Sequence, residues 1–232
     1  MAAVRMRVKC ECTMERLTSI VAVNHEGVIG CGNALPWRLK TDMRFFREST
    51  IGNVVLMGRK TFDSLGRKCL PRRYNVVVSH DFGLFAETSE CRSAIGIEDA
   101  LFRASLAPRE FREVFVIGGA SMYGQFARYA DRYLITLVEK SVPNGDTFFD
   151  QSFLGDPDAW QINPLRSVPA GPDDEASFAI FEVTARDPEG FRHLRMQAIE
   201  AAKAASTRLN RASNLPRSRR RLEPDDRSYS ML

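Results

Sequence analysis

The chain lacks the features of a secreted or membrane-bound protein. No run approaches the roughly eighteen apolar residues of a membrane span, and charges interrupt the first dozen residues, where a signal peptide carries its apolar block. The five cysteines are odd in number and scattered, which is untypical of a disulfide framework, and Cys10 and Cys12 lack the spaced partners of a zinc site. We therefore expect a cytoplasmic protein with free thiols and no metal.

The chain also shows no internal repeat, and its 232 residues allow one substantial domain with appendages. The net charge of +4 is uneven, because residues 186–232 hold 11 Lys and Arg against 6 Asp and Glu, which leaves the rest at −1. We predict a peripheral segment (1–16, with Met14 a candidate start), a main domain (17–186) and a basic extension (187–232). The extension is expected to be part helical, part disordered and outside the catalytic fold, and its helical segment from Pro188 has three alternatives: packing on the domain, pairing with another chain or staying mobile.

Apolar runs and amphipathic stretches alternate along the main domain. Buried strands are predicted over 17–23, 53–58, 74–79, 91–94, 114–119 and 133–138, and helices over 40–49, 59–65, 97–106 and 121–129. Two later strands, over 160–168 and 177–184, flank a turn-rich stretch and predict a closing hairpin. The pattern is typical of an α/β fold with a mixed, mostly parallel central sheet flanked by helices and closed at one edge by an antiparallel hairpin.

One acid stands among apolar residues. A helix starting after Leu39 places Asp42 and Phe46 on one face, four residues apart, so that a carboxylate and an aromatic ring line the same space. An ionised carboxylate can accept two hydrogen bonds from a flat basic heterocycle, and burial beside Leu35, Trp37 and Phe46 should raise its pKa. The alternative is that Asp42 only complements the helix dipole.

Three predicted strand ends carry groups suited to phosphate. Gly58 to Thr61 follows one strand with two cations, Ser79 and His80 end the next, and Gly118 to Ser121 joins another to a helix through two glycines. Because ligands of open α/β sheets bind beyond the carboxyl ends of strands, these groups predict a dinucleotide with an additional phosphate. Each segment could instead be a tight turn or a solvated pair, and no Gly-x-Gly-x-x-Gly fingerprint follows the first strand.

The order of these motifs resembles the dihydrofolate reductase family from about residue 18 to 184. The shared signatures are Val28-Ile29-Gly30, Leu35-Pro36-Trp37 with Asp42 and Phe46, Met57 to Phe62, Leu70 to Asn75, Ile117-Gly118-Gly119 with Tyr123, and Gly145-Asp146-Thr147 with Phe149. The resemblance implies NADPH-dependent reduction of 7,8-dihydrofolate to 5,6,7,8-tetrahydrofolate, by hydride transfer to the pterin ring. This reaction would supply one-carbon metabolism and thymidylate synthesis, and antifolates would bind the same cleft.

The resemblance also implies roles for individual residues. Asp42 would hold the pterin through a ring nitrogen and an amino group, supported by Thr136. The apolar walls around the pterin and the aminobenzoyl ring would be Val21, Ala22, Phe46 and Leu65, with Met43 at the rim. Arg73 would bind the α-carboxylate of the glutamate moiety as a bidentate pair. Leu35, Trp37 and Tyr123 complete the catalytic set, and a proton would come from water admitted near the mobile loop over 24–37.

For the cofactor, the resemblance implies NADPH rather than NADH. Ile117 and Tyr123 would flank the nicotinamide, and Gly118-Gly119 resembles the family's strained, often cis, diglycine link. The remaining cofactor positions lie on the first strand and its loop, on the three strand ends and near the later turn: Ala22, Ile29, Gly30, Gly58, Arg59, Lys60, Thr61, Ser79, His80, Ala120, Ser121, Met122 and Thr147.

Two departures from the family pattern stand out. Cys69 is an extra residue before Leu70-Pro71, which shifts the loop leading to Arg73, and Ser121 stands where some members carry an arginine for the cofactor phosphate.

A related alternative is the pyrimidine reductase of riboflavin synthesis, whose substrate would have no glutamate for Arg73 to bind. A different class is nucleic-acid binding through residues 217–221, although a short basic run is usually a solvated tail. We expect a monomer that binds neither membrane nor nucleic acid.

Overall fold

The computed structural model describes residues 14–213 apart from positions 82, 84 and 112. The strands are β1 (Leu17–Asn24), β2 (Val28–Gly30), β3 (Val54–Gly58), β4 (Tyr74–Val78), β5 (Cys91–Ala94), β6 (Val114–Val116), β7 (Arg132–Val138), β8 (Thr147–Phe148), β9 (Trp160–Val168) and β10 (Phe178–Ala185). The α-helices are α1 (Lys40–Thr50), α2 (Arg59–Ser64), α3 (Ile97–Ser105), α4 (Ala120–Phe126) and α5 (Pro188–Ser213), and one 3₁₀ turn covers Ser152–Gly155.

Eight strands form one sheet in the order β5-β4-β3-β6-β1-β7-β10-β9. The strands from β5 to β7 pair in parallel, while β10 runs antiparallel to β7 and β9 antiparallel to β10. The inner parallel strands are buried along almost their whole length, as expected where helices cover both faces of a sheet. The predicted fold class, including the closing hairpin, is confirmed.

The loop over 24–37 contains a strand that the sequence did not predict. β2 pairs antiparallel with β8, which lies more than a hundred residues later, and the Asp146 carboxylate accepts a hydrogen bond from the Gly32 backbone N–H at 2.8 Å. Both strands are too short to produce a recognisable alternation of apolar and polar residues. The segment predicted to be a mobile lid is therefore held by strand pairing along β2 and by a hydrogen bond just after it.

The expectation of free thiols is wrong for one pair of cysteines. Cys69, on the segment between α2 and β4, forms a disulfide with Cys91 at the start of β5, with their Cα atoms 6.2 Å apart. The two residues are 22 positions apart in the chain and meet because β5 pairs with β4. Cys31 is a free cysteine, whereas Cys10 and Cys12 lie outside the described residues.

The helical part of the C-terminal extension packs on the domain. α5 covers α3, and Ala198 and Ile199 join the main apolar core. Arg195 is fully buried: its guanidinium donates to the carbonyl oxygens of Tyr129 and Glu15, each at 2.7 Å, and pairs with Asp131 at 3.3 Å. The Ala-rich and Arg-rich composition of this segment left open whether the helix packs on the domain, pairs with another chain or stays mobile, because it does not mark a buried face.

The predicted N-terminal segment and the basic run at the other end of the chain are described only in part. Met14 lies in the segment predicted to be peripheral, yet it is buried in the same core as Leu17. The basic run over 217–221 lies outside the described residues. Within the described part of the chain, no helix combines the length and apolar character needed to cross a membrane.

Candidate active site

Asp42 lies in the first turn of α1 and is 8% exposed. Its Oδ1 accepts a hydrogen bond of 2.6 Å from the Thr136 hydroxyl on β7, beside Ala22 of β1. Burial raises the pKa of the Asp42 carboxyl, and the nearby Asp174 raises it further, whereas the hydrogen bond from Thr136 acts in the opposite direction. The pKa direction agrees with the sequence-based expectation, and the carboxylate keeps oxygen lone pairs to offer a ligand.

The start of α1 is held by a loop far away in the sequence. Leu39, the N-cap residue, has no side-chain oxygen, and Asp174 takes over the capping role: its Oδ1 accepts from the Thr41 backbone N–H at 2.9 Å. Its Oδ2 accepts from the Thr41 hydroxyl at 2.6 Å. Asp174 lies in the turn between β9 and β10, so the closing hairpin fixes the turn of α1 that carries Asp42. Sequence reasoning missed this residue because no local signal links it to a helix 133 residues away.

Replacing Asp174 with Asn is expected to lower the pKa of Asp42 toward its ordinary value, because it removes a nearby negative charge and keeps an oxygen for the Thr41 N–H. The measurement is the pH dependence of turnover, in which the apparent pKa should move down. Asp173→Asn is the matched control, since Asp173 is exposed and pairs with Lys40 at 2.7 Å. Equal pH profiles for the two variants would contradict the role assigned to Asp174.

A buried tyrosine connects Asp42 with the diglycine turn. Tyr123 donates a 2.7 Å hydrogen bond to the Ile20 carbonyl oxygen of β1, and burial and the charge of Asp42 both raise its pKa. The Gly118-Gly119 peptide bond is cis, and a Cβ at Gly118, where φ is +123°, would lie 3.4 Å from the Tyr123 hydroxyl and 3.3 Å from the Thr61 hydroxyl. The turn therefore has a backbone that a larger residue would strain and crowd.

The three predicted phosphate segments lie at one edge of the sheet. They follow β3, β4 and β6, which are adjacent and parallel. Arg59, Lys60, His80 and Ser121 are exposed there, and Ser79 and Thr61 are half-buried. Arg59 also pairs with Asp63 at 2.9 Å, an exposed ion pair that a phosphate could replace at small cost. Two exposed cations beside a glycine turn suit a phosphorylated dinucleotide.

A cleft of about 650 Å³ runs from Trp37 along α1 to Arg73. Met43 and Phe46 line it on one side and Leu70 and Pro71 on the other. Arg73 is 4% exposed and donates to the Thr50 hydroxyl, the Pro71 carbonyl and the Arg47 carbonyl at 2.9, 2.9 and 3.3 Å. A guanidinium has five N–H donors, so Arg73 keeps donors for an acidic ligand group.

The remaining predicted site residues differ in exposure. Val21, Ile29, Trp37 and Met122 are buried, and Ala22, Phe46, Ile117, Gly58, Gly119, Ala120 and Thr147 are half-buried. Leu35 is 54% exposed, because the backbone over 31–36 runs across the surface, whereas the sequence suggested a residue buried beside Asp42. Leu65 lies at the exposed end of α2.

Together, the fold and the cleft define a small-molecule enzyme. Asp42 offers a buried carboxylate to a flat basic heterocycle, and the cleft along the same helix has apolar walls. The carboxyl ends of β3, β4 and β6 offer cations and glycines to a phosphorylated cofactor.

Comparisons with known proteins identify the family. The family model described as dihydrofolate reductase matches residues 16–184. Dihydrofolate reductase type 3 of Salmonella typhimurium is 37% identical over 169 residues, which cover 72% of this chain and 96% of that protein. Dihydrofolate reductase of Haemophilus influenzae is 39% identical over 132 residues, covering 57% of this chain and 77% of that protein. The chain therefore belongs to the dihydrofolate reductase family.

A solved structure shows the same fold. The dihydrofolate reductase from Enterococcus faecalis complexed with NADP(H) and RAB-propyl aligns with a TM-score of 0.64 and 25% sequence identity, and the match covers 75% of this chain and 98% of that one. α5 follows the end of the family match at residue 184, so the helix that buries Arg195 is an addition of this chain to the matched region.

Proposed function

We propose that the protein reduces 7,8-dihydrofolate to 5,6,7,8-tetrahydrofolate with NADPH, and so supplies one-carbon metabolism and thymidylate synthesis. The observation that supports this most is the position of Asp42: a buried carboxylate, bonded to Thr136, whose charge acts on Tyr123 beside the diglycine turn. A pterin held by Asp42 would present its ring toward that turn. We further propose that the protein acts in the cytoplasm as a monomer and binds antifolates in the same cleft.

The residues at the sheet edge fit the proposed cofactor. NADPH would supply the hydride for the pterin carbon next to the imine nitrogen. Gly118 and Gly119 would allow close approach of the backbone to the diphosphate, because neither residue has a Cβ. Arg59 and Lys60 would bind the additional phosphate, with Thr61, Ser79 and His80 as hydrogen-bonding partners.

The protein's own contribution is orientation and a controlled proton supply. Asp42 would fix the pterin through two hydrogen bonds, and Thr136 holds the carboxylate in place at 2.6 Å. The Trp37 indole N–H is buried and finds no acceptor among the described residues, so it is available to a ligand or a water molecule in the cleft. The proton for the imine nitrogen would come from water near the segment of β2, with Asp42 adjusting the electronics of the ring.

Arg73 distinguishes this function from reduction of a riboflavin precursor. Its buried guanidinium is oriented by Thr50 and Pro71 at the far end of the cleft from Trp37. Such an arrangement suits the α-carboxylate of a glutamate moiety, which a pyrimidine intermediate of riboflavin synthesis lacks. The proposal therefore assigns Arg73 to the acidic end of dihydrofolate.

The direct test follows the loss of NADPH absorbance with dihydrofolate. We expect turnover that a 2,4-diaminopyrimidine inhibitor suppresses, because its protonated ring would pair with Asp42. NADH is the comparison cofactor and should be the poorer one, since it lacks the phosphate that Arg59 and Lys60 would bind. Turnover of the riboflavin pyrimidine intermediate, without turnover of dihydrofolate, would overturn the proposal.

A further inference from the structure

The Cys69–Cys91 disulfide connects an edge strand with the wall of the cleft. Cys91 is buried at the start of β5, whereas Cys69 is half-buried on the segment that leads to β4. Their Cα separation of 6.2 Å lies within the ordinary range for disulfides. Structural disulfides are rare in reducing compartments, and cytosolic ones are usually transient or redox-sensing.

The residues directly after Cys69 form part of the cleft. Leu70 and Pro71 line the cavity opposite α1, and the Pro71 carbonyl accepts a hydrogen bond of 2.9 Å from Arg73 Nη1. The disulfide therefore restrains the wall that orients the guanidinium assigned to the acidic end of the substrate.

A second connection holds the same wall without the disulfide. The Asn75 side chain on β4 accepts from the Leu70 N–H and donates to the Leu70 carbonyl, each at 2.9 Å, and it also donates to the Arg73 carbonyl at 2.8 Å. Because these bonds do not involve sulfur, the protein should stay folded when both cysteines are thiols. The disulfide then adds restraint to a wall that is already in place.

We propose that Cys69 and Cys91 form a reversible oxidation site that tunes the affinity of the cleft for the acidic end of its substrate. This inference rests on the proposed function for its effect on substrate, but the thiol chemistry itself does not. The bonded form holds Leu70 and Pro71 firmly, so Arg73 is better oriented. The dithiol form lets this wall move, so substrate binds more weakly at that end.

The oxidant is a low-molecular-weight disulfide of the glutathione class. Cys69, the more exposed of the two, attacks it as a thiolate, forms a mixed disulfide and releases one reduced thiol. The Cys91 sulfur then displaces the second thiol from Cys69. Overall, two protein thiols lose two electrons and two protons, and one small disulfide becomes two small thiols.

The expected result is a change in KM with little change in kcat. Reduction should raise the KM for dihydrofolate about 3- to 10-fold, the order of one hydrogen bond to a charged group. The kcat should stay within about 2-fold, because Asp42 and Thr136 lie on α1 and β7 and their mutual bond does not involve residues 69–71. A rise in KM without a fall in kcat distinguishes a change in the position of Arg73 from a general loss of structure.

The experiment uses the full chain with Cys10, Cys12 and Cys31 replaced by Ser, so that only the pair remains. The protein is equilibrated with a series of reduced and oxidised glutathione mixtures, thiols are counted by alkylation and mass spectrometry, and KM and kcat are measured at each ratio. Cys69→Ser and, separately, Cys91→Ala should fix the high KM at every ratio. Cys31→Ser alone, in the otherwise unchanged chain, is the matched control and should leave both KM and its redox response unchanged.

Two results would overturn the proposal: absence of an intramolecular bond at every glutathione ratio, or equal KM values for bonded and reduced protein. The same experiment separates this proposal from the proposed function. A fully reduced enzyme that turns over dihydrofolate supports the function whatever the bond does. No turnover in either state contradicts the function and the effect on KM, while the alkylation pattern still decides the oxidation site.

Discussion

Replacing Asp42 with Asn is expected to lower kcat/KM for dihydrofolate about 100- to 10,000-fold at pH 7, the range measured for removal of a group that supports proton transfer. The reason is that Asn keeps the acceptor for Thr136 but loses the charge that would hold and polarise the pterin. The ratio of wild-type to variant activity should shrink as pH falls, because substrate then arrives already protonated. The measurement is kcat/KM between pH 5 and 8 by NADPH absorbance.

The same substitution should leave the fold intact or stabilise it. The pKa of Asp42 is higher in the folded protein than in the unfolded chain, so the folded state binds the proton more tightly. Stability therefore falls as pH rises from the unfolded pKa through the folded one, and the charged carboxylate is a cost at neutral pH. Asn removes that cost, so its Tm at pH 7 should equal or exceed that of the wild type.

A matched control for Asp42→Asn is Asp81→Asn, because Asp81 is exposed and follows the strand end that carries Ser79 and His80. This control should change kcat/KM by less than about 2-fold, the scale of an exposed surface charge. Near wild-type activity of the Asp42 variant at pH 7 would contradict the assigned role, and so would a loss of activity explained by a lower Tm.

Replacing Arg195 with Met is expected to reduce the free energy of unfolding by about 3–5 kcal/mol, the usual cost of removing one partner of a buried ion pair. Met retains much of the apolar volume but leaves the Asp131 carboxylate buried beside the start of β7, and two backbone carbonyls lose their donor. Because natural domains are stable by only about 5–15 kcal/mol, this is a large fraction of the total. Urea unfolding of both proteins measures the difference.

Two further variants make the Arg195 prediction specific. Arg192→Met changes an exposed arginine one turn earlier on α5, which pairs with Glu189 at 3.7 Å, and should cost less than about 1 kcal/mol. Adding Asp131→Asn to Arg195→Met should restore part of the loss, because no unpaired charge then remains buried. Equal costs for the variants at 192 and 195 would show that the buried pair does not stabilise α5 on the domain.

The order in which apolar runs follow one another along the sequence was sufficient to predict the large sheet. Strands β1, β3 and β7 are apolar along most of their length, and each is bounded by turn residues, so their existence and parallel pairing follow from local patterns. Strands β2 and β8 were missed because three and two residues show no period. Their pairing depends on contacts between segments that are distant in the chain.

The candidate site shows the same division between local and long-range information. Asp42 and Phe46 could be placed on one helix face from their spacing, and the family resemblance supplied Thr136 and Arg73. Asp174 and the Cys69–Cys91 pair could not be predicted, since each partner becomes a neighbour only when the sheet forms. Residue roles in substrate and cofactor binding stay predictions until the activity measurements are made.

The packing of α5 has a consequence for synthesis of the protein on the ribosome. Every residue assigned to the cleft is translated before position 150, yet Asp131 obtains its guanidinium partner only when residue 195 has emerged. A nascent chain could align its strands early, as N-terminal parts of proteins commonly do. It would still carry an uncompensated interior charge until the last helix arrives. A message truncated after the family-matched region therefore encodes every residue assigned to the cleft but an unfinished core.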